Sequence, residues 1–205
     1  MKQKESEKLT DTTLIYYDTH YSQFTQETVN VHFSSIQDRF LQLIPDGGLI
    51  LDFGCGSGRD SLYFLEKGYA VEACDGSAQM VRIASEYTGL PVKRMLFSEL
   101  NESDRYDGIF ACASILHVPF AGLPDIMERM IKALKPDGTA YISFKYGDFE
   151  GYRNGRYFTD MNEERLNVLL SGIKRCQIVE TMITGDVRPG RESEQWLNVL
   201  LQKTK

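Results

Sequence analysis

Clustered metal ligands are missing from this sequence. Its four cysteines, Cys55, Cys74, Cys112 and Cys176, are far apart and form no Cys-x-x-Cys pair. That removes the spacing expected of a zinc site or a disulfide framework. No metal is expected, and cysteines at strand ends read as reduced, buried thiols. No apolar run approaches the ~20 residues of a membrane span. The first ten residues, MKQKESEKLT, lack the apolar core of a signal peptide, so a cytoplasmic location away from any membrane is expected. Positive charge is in short supply too. Lys and Arg number 23 against 29 Asp and Glu, a net charge of -6, and the whole-molecule field gives nucleic-acid binding no support. Internal repeats and low-complexity tracts are absent. There is one tryptophan, Trp196, expected in the core of the last strand. The rest is ordinary globular composition, 42% hydrophobic and 25% charged over 205 residues, enough for one domain with a sizeable core.

Residues 1–10 are polar and read as frayed. Leu14, Tyr17, Tyr21 and Phe24 then recur at helical spacing, and Val29, Phe33, Ile36, Phe40 and Ile44 continue the period in a longer helix. Residues 1–45 are therefore expected as a helical cap on a domain spanning 46–205. Strands are expected at 49–52, 69–74, 91–96, 106–113 and 139–145, with a final pair at 177–183 and 195–201. Between them, Lys67-Gly68 ends one helix and Ser77 caps the next. Pro124 opens a helix over 123–134, Lys135-Pro-Asp-Gly138 has the residues of a type I turn, and 146–158 reads as a polar Gly- and Arg-rich loop. Asp160 with Glu163 resembles a capping box for the helix through Leu166 and Leu169. Strand–helix alternation closed by two strands predicts an α/β fold. It is a doubly wound, mostly parallel seven-stranded sheet with an antiparallel pair at one edge.

The chemistry concentrates in LILDFGCGSGRD, residues 49–60. An apolar run ends on Asp52, and Gly54, Gly56 and Gly58 follow at every second position, so a ligand can lie against bare backbone at a strand end. Such a turn could serve a dinucleotide or S-adenosylmethionine. The dinucleotide fingerprint is GxGxxG, with a pyrophosphate at the helix N-terminus. Here the spacing is GxGxG and a carboxylate stands beside it, which would repel a pyrophosphate and suit a cationic methionine end. Asp75, at the end of the second strand, can accept both ribose hydroxyls of either cofactor.

Asp52-Phe-Gly-Cys-Gly-Ser-Gly58 together with Asp75-Gly-Ser-Ala-Gln-Met80 resembles the class I S-adenosylmethionine-dependent methyltransferases. Tyr106-Asp107, Leu116-His117-Val118 and Leu134-Lys-Pro-Asp-Gly138 extend the likeness over residues 45–145. Tyr16-Tyr17-Asp18 and the tail resemble, more loosely, small bacterial members related to tellurite-resistance-type methyltransferases. The resemblance implies the Rossmann-like methyltransferase fold and S-adenosyl-L-methionine as methyl donor, with S-adenosyl-L-homocysteine as product. It implies that Asp52, Gly54, Cys55, Gly56 and Gly58 hold the methionine end, that Asp75 with Gly76 binds the ribose, and that Ser98 or Glu99 flanks the adenine. Met80 reads as an adenine contact or as core. Arg59, which reaches a carboxylate or pairs with Asp60, and Ser114, after the fourth strand, complete the expected donor set. Tyr16 and Tyr21, with Tyr17, lie on a helix over the cofactor end, giving cation–π attraction to a sulfonium or simple docking. His117 reads as a general base or a positioning residue. Tyr17, Lys145, Arg153, Arg156 and Arg188 are the expected acceptor-binding residues. Convergence of the arginines, including Arg191, near Lys145 would favour a small anionic acceptor. A non-catalytic S-adenosylmethionine-binding module and a nicotinamide-dependent oxidoreductase are the alternatives.

Overall fold

A computed structural model describes residues 2–191 and 193–205, with side chains described from Thr12 onward. The chain opens with α1 (Lys2–Thr28) and α2 (Ser34–Leu41), then β1 (Leu49–Phe53), α3 (Arg59–Glu66), β2 (Ala70–Asp75) and α4 (Ala78–Thr88). Next come β3 (Lys93–Arg94), β4 (Tyr106–Ala111), α5 (Leu123–Ala133) and β5 (Leu134–Lys145). It closes with β6 (Glu150–Arg153), β7 (Arg156–Thr159), α6 (Glu163–Ser171), β8 (Cys176–Gly185) and β9 (Gln195–Lys203). Seven strands form one sheet in the order β3-β2-β1-β4-β5-β9-β8. β3 to β5 are mutually parallel and β9 runs antiparallel between β5 and β8.

Side-chain alternation divides the core. Leu51, Ile109 and Ile142 pack with Met130 of α5 and Leu169 of α6 on one face. Ile50, Phe110 and Tyr141 meet Phe40 of α2 and Phe64 of α3 on the other. Strands covered on both faces need apolar residues at nearly every position, which is why β1, β4 and β5 read as unbroken runs. The winding reverses beside β1, with β2 on one side and β4 on the other. That reversal leaves a crevice at the strands' carboxyl ends. Among the described residues no helix is long and apolar enough to cross a membrane.

Several local expectations are corrected. The helix expected from Val29 begins only at Ser34; α1 runs to Thr28, and the β-branched Val29 and Val31 in the break disfavour helix. α1 is helical from Lys2 and kinks at His20 (φ -107°, ψ 19°). There the His20 ring and the Thr19 hydroxyl bond back to the carbonyls of Tyr16 and Ile15, a pattern that bends helices. The third strand shrinks to two residues at a sheet edge, Lys93–Arg94. Asp137 takes a positive φ of 64°, so the Lys135–Gly138 turn is not type I. Asn162, not Asp160, caps α6, accepting from the Arg165 amide at 2.9 Å. The stretch 146–158 is no loop: β6 and β7 pair as an antiparallel hairpin around Asn154-Gly155.

Candidate active site

β1 delivers the chain to Gly54, whose amide and that of Cys55 both donate to the Cys74 carbonyl at 2.9 Å. The turn is thus tied to the end of β2. Asp75 completes the tie: one carboxylate oxygen accepts from the Gly56 amide at 3.0 Å and the other from Ser77 at 2.9 Å. Burial pushes the Asp75 carboxyl up, against these amide bonds. Above the turn lies a cavity of about 530 Å³, within the usual range for a small-molecule site.

The cavity gathers most of the expected donor residues: Gly54, Cys55, Gly56, Asp75, Gly76 and Met80, together with Arg59, Ser98 and Ser114. Others stand outside it. Asp52 is 2% exposed and accepts from the Ser61 hydroxyl at 2.6 Å beneath α3. Burial and the neighbouring Asp60 carboxylate raise its pKa, so it is not the carboxylate that faces a ligand. Gly58 caps α3 with φ 84°. A Cβ there would come within 2.8 Å of Thr88 on α4, so this glycine serves helix packing. Glu99 turns back to accept from the Leu96 amide at 2.7 Å. Arg59 pairs with Asp60 at 2.8 Å, and Asp60, with no part in the sequence-based set, lines the cavity.

α1 roofs the cavity. Asp18 accepts from the Ser77 hydroxyl at 2.6 Å and the Gln79 amide at 3.2 Å, clasping the start of α4. The Thr13 hydroxyl accepts from the Tyr157 amide at 3.1 Å, and Phe24 lies over Gly56. Of the tyrosines only Tyr17 reaches the cavity. Tyr16 stacks on His20 with ring centres 4.3 Å apart, and Tyr21 lies under the Arg82 guanidinium of α4.

Beyond the turn, Tyr17, His117 and Arg156 form a connected group. His117 Nδ1 lies 2.6 Å from the Tyr157 carbonyl oxygen. A carbonyl can only accept, so Nδ1 carries the proton and Nε2 accepts from the Tyr17 hydroxyl at 2.9 Å. Both ring nitrogens are engaged, so His117 here holds the Tyr17 hydroxyl, the positioning role of its two readings. Burial holds its pKa down to about 4 against the Tyr157 bond, and burial pushes the Tyr17 phenol up. Arg156 Nη1 donates to the Tyr17 oxygen at 3.3 Å.

The expected arginine cluster is mostly neutralised. Lys145 pairs with Glu194, and Arg188 with Asp186. Arg153 lies outside the cavity, bonded to Asp160 at 2.7 Å. Trp196 packs against the core from the last strand as expected, and also forms part of the cavity wall, its indole donating to Asp186 at 3.0 Å. Asp18, Thr13 and the cavity-facing side of Trp196 were missed because their roles arise between separate elements, whereas the pairing of Asp60 with Arg59 was legible beside the glycine turn. Asn154-Gly155, by contrast, is a legible hairpin signal.

A family model described as a methyltransferase domain matches residues 50–138. An uncharacterized methyltransferase of Staphylococcus carnosus is 30% identical over 124 residues, 57% of this chain and 60% of that protein. The chain thus spans about three-fifths of this relative's length. In structure, the chain is similar to the 1,6-didemethyltoxoflavin-N1-methyltransferase of Burkholderia thailandensis. The TM-score is 0.76 at 23% identity, over 98% of this chain and 91% of that one. The [4+2]-cyclase SpnF shares the fold at TM-score 0.66 and 14% identity, over 83% of this chain and 80% of its own. The solved structures share the fold, and the family model and the relative are likenesses to methyltransferases over part of the chain; the looser tellurite-resistance likeness is not among them.

Proposed function

We propose that this chain, whose residues 50–138 match a methyltransferase domain, is a class I S-adenosylmethionine-dependent methyltransferase and transfers a methyl group from S-adenosylmethionine to a small polar molecule. One observation carries the reading: a single cavity runs from Asp75 and the glycine turn to Tyr17, Arg156 and Trp196, so donor and acceptor can be held side by side. The residues present fit the donor. Each Asp75 oxygen accepts one backbone N–H, leaving lone pairs for a ribose diol. Gly54 and Gly56 leave bare backbone for a methionine end, and Met80, Phe97 and Ser98 offer an adenine wall.

When bound, the donor's sulfonium supplies the methyl group and a neutral leaving group. The protein's task is alignment, which can supply on the order of 7–11 kcal/mol of the barrier. The carboxylates Asp60, Asp186 and Glu194 are each paired with a cation, and His117 is spent on Tyr17 and Tyr157. An acceptor therefore arrives with its lone pair already available. Tyr17 and Arg156 orient it, and His117 holds Tyr17.

The test is titration calorimetry with S-adenosylhomocysteine and NAD, followed by a labelled-methyl screen against metabolite extract. Micromolar S-adenosylhomocysteine binding and a methylated product are expected; no binding would sink the reading. A [4+2]-cyclase shares the fold, so the fold by itself does not entail methyl transfer; binding with no labelled product would support a non-catalytic S-adenosylmethionine-binding module instead. A nicotinamide cofactor is disfavoured by the GxGxG spacing of Gly54, Gly56 and Gly58, which departs from the GxGxxG dinucleotide fingerprint.

A further inference from the structure

We propose that Arg156 docks a planar monoanion of the carboxylate class in the Tyr17–His117 part of the cavity. The inference rests on reading the cavity as a donor–acceptor site, and it deepens that reading by naming the group the site recognises.

Five cations line the cavity: Arg59, Lys145, Arg156, Arg188 and Arg191. Four face carboxylates, those of Asp60, Glu194, Asp186 and Glu27 respectively. Among the described residues Arg156 has none. Its guanidinium lies 4.5 Å from the centre of the Tyr16 ring and 5.1 Å from that of Phe158. Its single hydrogen bond goes to the Tyr17 hydroxyl, a neutral acceptor at 3.3 Å. Nε is buried with no hydrogen-bond partner among the described residues. Buried donors are normally paired, and a guanidinium stays charged at any physiological pH. Asp75 lines the same cavity but sits at the glycine turn, where its oxygens accept from the Gly56 and Ser77 amides, and it forms no ion pair with Arg156. Among the described residues, therefore, Arg156 sits in an aromatic-walled slot with no carboxylate paired to it.

The ligand chemistry follows from that count. One uncompensated charge matches one negative charge; a phosphate dianion would bring a second with no partner. Ring faces beside a flat guanidinium suit a planar group, and the fork geometry suits two oxygens. Tyr17 sets the fork: because its proton is donated to His117 Nε2, its oxygen lone pairs are left for Arg156. Two sources share this chemistry, the carboxylate at the donor's methionine end and a carboxylate on the acceptor.

Arg156→Met and Arg156→Lys separate them. Calorimetry would measure S-adenosylhomocysteine and 5′-methylthioadenosine, which lacks the amino-acid end. Benzoate would be titrated into protein saturated with S-adenosylhomocysteine, following the fluorescence of the one tryptophan, Trp196, in the same cavity. Thermal unfolding checks that the variants fold, and Arg156→Lys, which keeps the charge and loses the fork, serves if Arg156→Met does not. The expected result is a loss of about 10- to 100-fold. A loss for S-adenosylhomocysteine with 5′-methylthioadenosine unchanged assigns the donor carboxylate. A loss for benzoate with S-adenosylhomocysteine unchanged assigns the acceptor. If both ligands stay within about twofold of wild type, the proposal is overturned. Failure of the wild type to bind S-adenosylhomocysteine would overturn the donor reading instead, leaving Arg156 to be judged on benzoate alone.

Discussion

His117 and Asp52 are both held by burial towards their neutral forms, and they pull stability in opposite directions along the pH axis. The His117 pKa falls from 6.5 to about 4 on folding. Below pH ~6.5 the unfolded chain binds the proton more readily, so stability is lost as pH falls through that window, by at most about 3 kcal/mol. Asp52 is raised, so the folded form binds its proton more readily, and stability is lost as pH rises through its folded pKa. Melting temperature against pH should therefore lose its fall below about pH 6.5 in His117→Asn and its fall between about pH 4 and pH 8 in Asp52→Asn. Curves parallel to wild type would contradict both. The same two residues show what one-dimensional reading misses. Asp52 precedes the glycine turn, yet strand alternation puts it on the Ile50 face, beneath Ser61 of α3, while Leu51 and Phe53 take the other face. The conspicuous carboxylate is structural, and Asp75 is the one that faces the cavity.

At the scale of elements, the roof is an assembly of α1 and the β6–β7 hairpin. Asn154 and Gly155 take φ of 52° and 78°, the positive pair that tight hairpin turns require. A Cβ on Gly155 would lie 3.0 Å from the Tyr16 ring, so the turn docks closely on α1. Asp18 fastens α1 to α4 at the other side of the cavity. Asp18→Ala removes that clasp and should cost about 1–2 kcal/mol. For a chain of this size that lowers the melting temperature by roughly 2–8 °C. Calorimetry should also show weaker S-adenosylhomocysteine binding, because α1 closes the site. An unchanged melting temperature and affinity would show that α1 is held by its apolar contacts alone. The hairpin was legible in Asn154-Gly155, but the arginines around it made the segment read as a polar loop. Arg153 and Arg156 are paired across the turn, yet one turns to Asp160 and the other to the cavity.

For the whole molecule, a donor enclosed between sheet and roof should bind the folded state alone. S-adenosylhomocysteine at 100 times its Kd then adds about 2.7 kcal/mol, raising the melting temperature by roughly 5–10 °C. NAD at the same concentration should leave it unchanged. Equal shifts from both ligands would mean that the turn does not discriminate a cationic methionine end from a pyrophosphate.

The sequence by itself determined the doubly wound sheet, its antiparallel last pair, the glycine turn and the partnership of that turn with Asp75. Those features depend on periodicity and on residues adjacent along one strand–turn–helix unit, and local geometry enforces them wherever the chain goes. Only the tertiary structure decided which charges are spent and which is left. Lys145 and Glu194 lie 49 positions apart, Tyr17 and His117 lie 100 apart, and Arg156 meets Tyr17 across 139. Neutralisation is a short-range electrostatic fact, so whether an arginine recognises a ligand or a neighbouring carboxylate depends on ångströms that folding alone sets.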